Sequence, residues 1–193
     1  MGSRQIGILA LQGAFARHAK ILKSLNVTPC LVRYPSDLEN CDALIIPGGE
    51  STTLTNRVEF IGLRDPIIRF AQKKPIFGTC AGLIMLSKDC DESLVKPFGI
   101  LDIEIERNGY GTQCDSFTAD IVLSQNDDNK SFHAIFIRAP KITAIGPEIQ
   151  VLASFDDVPV LIQQGHHLGA AFHPELTDDN RIHCHLLKLI YPS

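Results

Sequence analysis

The chain has 193 residues, a formal net charge of −4, 45% hydrophobic and 21% charged residues. This is the make-up of one folded domain of roughly 100–200 residues, and it excludes a disordered chain. An acidic balance argues against a nucleic-acid or anionic-membrane surface, since either needs a basic patch, and no apolar run reaches the roughly 18–20 residues of a membrane span.

The chain opens with MGSRQIGILALQ, where one arginine precedes a short apolar run that soon meets Gln12 and Gly13. It reads as a first strand over 6–11 and not as an export signal, so a cytoplasmic protein is expected. Residues 15–25 place Phe15, Ala19, Leu22 and Leu25 at helical spacing. Strands are expected at 28–32 and 43–46, the latter closed by Pro47-Gly48-Gly49. A helix over 63–71 tolerates Pro66 in its first turn, a strand follows at 76–77, and a helix covers 81–87. Strands alternating with helices imply parallel pairing with helices on both faces. The second half is richer in strands, at 101–106, 116–123, 134–137, 151–155, 160–163 and 168–172, with a last helix over 179–190. Residues 126–130 read as a polar hairpin end. The expected fold class is α/β, a mostly parallel sheet with antiparallel additions, as a single domain over 1–193.

Cysteines stand at 30, 41, 80, 90, 114 and 184, none of them spaced as C-x-x-C or with histidines at zinc spacing. Reduced thiols are expected. His166-His167 and His183-Cys184-His185 are not expected to bind metal, because residues two apart on a helix do not share a face.

Three segments carry chemistry. Gly78-Thr79-Cys80-Ala81-Gly82 follows a strand and opens a helix, which is a nucleophile-elbow pattern with cysteine in the serine position. The glycines make room for the tight turn, and the helix start favours thiolate over thiol. His173-Pro174-Glu175 supplies a base and, two residues on, a carboxylate able to orient it. Pro47-Gly48-Gly49-Glu50-Ser51-Thr52 offers backbone N–H groups for an oxyanion, with Ser51 or Thr52 expected to cap the next helix. It is no phosphate loop, because no Gly-Lys-Ser/Thr follows. Each segment falls at the C-terminal end of an expected strand.

With these residues in view, the sequence resembles a class I (triad) glutamine amidotransferase. More narrowly it is similar to the glutaminase subunits of pyridoxal 5′-phosphate synthase, the PdxT/SNO family. The matching segments are IGILALQGAFARH (6–18), CDALIIPGGESTT (41–53), KPIFGTCAGLIML (74–86), ERNGYGTQ (106–113), FIRAP (136–140) and FHPELT (172–177). The resemblance implies a three-layer, flavodoxin-like fold and hydrolysis of glutamine to glutamate and ammonia without a cofactor. It implies Cys80 as nucleophile, His173 as proton shuttle and Glu175 as its orienting group. Gly48, Gly49 and the Ala81 amide would be the oxyanion donors. Glutamine would be held by Gly48, Gly49, Glu50, Ser51, Arg107, Ile137 and Arg138. The implied partner is a (β/α)8-barrel synthase that takes the ammonia through a protected channel. The chain departs from the family's Arg-Asn motif at Gly109 and Thr112. Other cysteine-elbow proteins, γ-glutamyl hydrolase-like enzymes and DJ-1-like redox proteins, share the expected fold and exposed thiol, and a fold alone does not separate them.

Overall fold

The computed structural model describes residues 4–110, 116–124 and 130–190. The first half runs β1 (Gln5–Leu9), α1 (Phe15–Ser24), β2 (Thr28–Val32), β3 (Ala43–Ile46), α2 (Ser51–Ile61), α3 (Arg64–Ala71), β4 (Ile76–Thr79) and α4 (Ala81–Leu86). It continues with β5 (Asp89–Cys90), β6 (Ile103–Glu106), β7 (Ser116–Val122), β8 (Ser131–Ile137), β9 (Lys141–Ile145), β10 (Gln150–Phe155), β11 (Val158–Gln164), β12 (His167–Ala170) and α5 (Arg181–Ile190).

Seven strands form the central sheet in the order β10-β11-β12-β4-β3-β1-β2. From β12 to β2 all neighbours pair in parallel, and β10 and β11 extend the sheet as antiparallel additions. The inner strands β3 and β4 are buried along their whole length, which is why they read as continuous apolar runs without alternation. Helices cover both faces. Phe77 of β4 packs edge-on against His18 of α1 and His183 of α5. The next residue, Gly78, faces the α4 backbone. Since neighbouring strand residues point to opposite faces, α1 and α5 lie on one side and α4 on the other. All six residues of α4 are buried, so its uniform apolarity reflects an interior helix.

A small sheet, β5-β6-β9, and a hairpin, β7-β8, are added beyond the main sheet. Phe117 of β7 stacks on Phe136 of β8 at 4.5 Å, and Phe136 meets Phe172 at 5.5 Å. This cluster ties the hairpin to the chain just before His173. The expected turn at 126–130 falls between these two antiparallel strands, although 125–129 lie outside the described residues.

The sequence reading differs from the structure in a few places. The strands β5 and β9 were not anticipated, and α2 was expected only through its cap, with no range given to it. The buried face of α1 is His18 and Leu22, with Phe15 and Ala19 half-buried, so the apolar stripe points slightly off the core. No helix among the described residues is long and apolar enough to cross a membrane.

Candidate active site

Four loops meet at the C-terminal ends of the adjacent parallel strands β12, β4, β3 and β1. That edge is where ligands gather in open parallel sheets, and here the chain reverses its strand order between β1 and β3.

The β4–α4 turn carries Cys80, which has φ 50° and ψ −108°, a conformation non-glycine residues rarely adopt. Two constraints hold it there. Its N–H donates to the Ala170 carbonyl of β12 at 2.8 Å, and its carbonyl accepts from Ile84 N–H at 3.2 Å. The turn must also be narrow, because a Cβ on Gly82 would stand 1.9 Å from the Ile46 carbonyl oxygen. Gly82→Ala is therefore expected to destabilise the protein by about 1–3 kcal/mol or more; an unchanged melting temperature would contradict this. Arg138 at the end of β8, opposite the turn, also has positive φ, 42°. The two strained residues flank one point, where Cys80 Sγ lies 3.8 Å from the Ile137 carbonyl oxygen.

His173 follows β12, and its N–H donates to the Ile135 carbonyl of β8 at 2.8 Å. A short 3-10 turn, Pro174–Leu176, brings the chain back so that Glu175 faces the imidazole. Nδ1 donates to Glu175 Oε1 at 2.7 Å, both groups being buried. Burial of the ring opposes its charge, but hydrogen bonds and charge from Cys80 and Glu175 outweigh it and raise His173 to about 10. An imidazolium between a sulfur and a carboxylate is the arrangement of an activated thiol. Cys80 and the His173-Pro174-Glu175 segment, far apart in the chain, are thus brought together. The other described cysteines are also free, and burial pushes the Cys41 thiol up to about 12, away from thiolate chemistry.

The triad opens into a cleft of about 140 Å³ lined by Gly49, Glu50, Ser51, Ala81, Arg107, Ile137, Arg138 and His173. Gly48 packs beneath it: a Cβ there would stand 2.5 Å from His173 Cε1. Its N–H donates to Thr79 Oγ1 at 3.1 Å, which leaves Gly49 and Ala81 as the amides to consider for an oxyanion. Ile84 and Asn108 line the same cleft; both fall in matching segments, 74–86 and 106–113, but were given no role.

Glu50, rather than Ser51 or Thr52, caps α2. Its carboxylate accepts from Thr52 N–H at 3.1 Å and from Thr53 N–H at 2.6 Å. A carboxylate satisfies two helix-terminal donors at once, which a hydroxyl does not. Burial works against its charge, yet the Thr52 and Thr53 bonds outweigh burial and hold Glu50 at about 2. Glu50 also accepts from Arg107 at 2.6 Å, and Glu92 accepts from the same guanidinium at 3.3 Å. These carboxylates fix the orientation of Arg107 at the cleft wall.

Gln12, which was given no role in the sequence, holds the loop that forms the cleft wall. Its amide clamps the Glu50 backbone from both sides, Nε2 donating to the carbonyl at 2.8 Å and Oε1 accepting from the N–H at 3.3 Å. The clamp sets the path of the Gly48-Gly49 loop. Gln12→Ala is expected to lower kcat about 10–100-fold by loosening that loop, and steady-state kinetics at the wild-type rate would refute it.

The histidines set aside as metal ligands are bonded elsewhere. His167 Nδ1 accepts from Ile76 N–H at 3.2 Å, His166 Nε2 meets the Ala71 carbonyl at 3.2 Å, and His185 Nε2 bonds Gln163 Oε1 at 2.7 Å. Of the two departures from the family motif, Gly109 is described and Thr112 lies outside the described residues.

This geometry agrees with what the chain resembles. The model of the SNO glutamine amidotransferase family matches residues 8–190. A pyridoxal 5′-phosphate synthase subunit PdxT from Francisella philomiragia is 46% identical over 187 residues, covering 97% of this chain and 99% of the relative. A protein of the same description from Desulforamulus reducens is 47% identical over 186 residues, covering 96% and 98%. A crystal structure of a glutamine amidotransferase superposes with a TM-score of 0.91 at 40% identity, covering 96% of this chain and 98% of that one. PurLQS from Thermotoga maritima, at 15% identity and a TM-score of 0.64, shares the fold. With the family match running from β1 into α5 and these relatives aligned along almost their whole length, the chain belongs to the SNO glutamine amidotransferase family.

Proposed function

We propose that this chain is the glutaminase subunit of a pyridoxal 5′-phosphate synthase, hydrolysing L-glutamine to L-glutamate and ammonia as one domain. The observation that carries the reading is the strained Cys80 set beside an imidazole that Glu175 holds at 2.7 Å, next to a cleft in a glutamine amidotransferase fold.

The Cys80 sulfur attacks the side-chain amide carbon of glutamine. The carbonyl electrons move onto oxygen, which Gly49 and Ala81 N–H groups stabilise; one such donor is worth about 2.7–4 kcal/mol. His173 gives its proton to the departing nitrogen, ammonia leaves, and a glutamyl thioester remains on Cys80. Water then attacks the thioester, His173 takes its proton as base, and the C–S bond breaks to release glutamate. Glu175 keeps the imidazole in the orientation and charge state both steps need. Arg107 and Arg138 offer positive charge to the substrate carboxylate, while Glu50, Ser51 and the Ile137 carbonyl complete the polar wall.

Free ammonia protonates in bulk water, so the account pairs this chain with a synthase chain, by resemblance a (β/α)8 barrel, reached through a protected passage. Ammonia release from glutamine, measured with and without the synthase subunit, tests the reading. Release that rises in the complex is expected, and none in either condition would overturn it.

A further inference from the structure

Behind the triad lies a second pair of histidines that the hydrolysis scheme leaves unused. His18 of α1 and His183 of α5 are both fully buried. They are 165 positions apart in sequence, yet His18 Nδ1 and His183 Nε2 stand 2.9 Å apart. On its other side His18 Nε2 lies 3.5 Å from Glu175 Oε2, the carboxylate oxygen that does not face His173. Among the described residues, Glu175 Oε2, His18 Nε2 and His183 Nδ1 are buried with no hydrogen-bond partner, so the 3.5 Å approach of His18 Nε2 to Glu175 Oε2 is the nearest polar contact either of those two atoms has.

The protonation pattern follows from these contacts. Two neutral imidazoles sharing one bond admit two arrangements. If His18 donated from Nδ1, its bare Nε2 lone pair would face the carboxylate, and the His183 Nδ1–H would be buried without an acceptor. If His183 donates from Nε2, His18 carries its hydrogen on Nε2 and aims it at Glu175, and only an acceptor lone pair on His183 goes unused. Leaving a buried N–H unmade or setting a lone pair against a carboxylate is the costlier choice, so both rings are Nε2–H. The groups facing His18 are His183, Glu175 and, by charge alone, His173; burial first, then the neighbouring histidines, hold it well below 6.5. Burial lowers His183 to about 4. Phe77 locks both ring planes edge-on, with centroids 6.4 Å from His18 and 6.0 Å from His183.

We propose that His18, oriented by His183, is a positioning residue for glutamine hydrolysis, supplying the second donor that fixes the Glu175 carboxylate behind His173. The proposal rests on the glutaminase reading above. The triad is thereby extended to five residues, Cys80-His173-Glu175-His18-His183, anchored on α1 and α5. Without His18 the buried Oε2 faces no donor, and the carboxylate is free to turn away from the imidazole.

Two measurements on the full-length chain test this. In the complex with the synthase subunit, His18→Leu is expected to lower kcat about 10-fold with KM within about twofold, the scale of lost outer-shell support. His18→Gln, whose amide N–H can replace Nε2–H, should restore kcat. A purely structural role would lower the melting temperature of both variants and leave the glutamine variant as slow as the leucine one, which would overturn the proposal. Ring nitrogen NMR of the wild-type chain reads the bond directly, whether or not the leucine variant folds. Neutral Nε2–H tautomers at both positions are expected; an Nδ1–H tautomer or an imidazolium at His18 would overturn it. A wild-type complex that releases no ammonia would defeat the glutaminase reading instead, leaving the ring assignment to NMR.

Discussion

Cys80→Ala is expected to lower glutamine-dependent ammonia release by about 10⁴-fold or more, the scale seen when a covalent nucleophile is removed. Cys80 sits next to Ala81 and against His173, both of which line the cleft, and none of the other described cysteines lines it. Alanine keeps the Cβ and can occupy the same backbone, so the melting temperature should change little while turnover disappears. The complementary test is alkylation: a glutamine-like electrophile should modify Cys80 well before Cys41, whose thiol burial pushes up to about 12. Residual turnover near the wild-type rate in Cys80→Ala would remove Cys80 from the nucleophile role.

Glu175→Gln is expected to lower kcat about 10²–10⁴-fold, because the amide removes the charge that supports the imidazolium and can present a donor where an acceptor is needed. The pH dependence carries the sharper signal. Burial opposes the charge on His173, and the Cys80 and Glu175 contacts overcome it to reach about 10. In wild type the stability from this group is complete below about pH 6.5, its unfolded value, and is lost as pH rises through about 10. With Glu175 neutral, burial meets less opposition. The alkaline limb of kcat should therefore move to lower pH, and melting temperature should begin to fall at lower pH than in wild type. An alkaline limb that stays in place would mean that Glu175 does not set the charge of His173.

Much of this site was legible in the sequence because each part is a short local pattern at a strand end. GTCAG, HPE and PGGEST need only a few consecutive residues, and β3 has the expected bounds because a buried parallel strand is an unbroken apolar run, while β2, an edge strand buried only at Val32, also has the expected bounds. The structure also brings Glu50, Ser51, Arg107, Ile137 and Arg138 into one cleft wall. What was not legible depends on side chains crossing between elements. Helix α2 was given no range because STTLTNRVEFI has weak apolar periodicity. Its stability comes from the Glu50 cap and from packing on α4. Gln12 looked like the polar end of a strand until its amide was seen to hold the Glu50 backbone. His18 lay between the apolar positions of α1 and was left out of the core, although Phe15, His18 and Leu22 share one helical face. Nothing local announces a partner 165 residues away. The strands β5 and β9 were missed for a related reason, being short pieces fixed by pairing with β6 and not by their own pattern.

The central claim is covalent: glutamine is opened by Cys80 through a thioester. The most direct test is mass spectrometry of the acid-quenched complex during turnover, followed by peptide mapping. The account predicts one added glutamyl group on the peptide containing Cys80, absent in Cys80→Ala and accumulating in variants that slow water attack. Steady ammonia release with no acyl group on Cys80, or with the group on another residue, would contradict it.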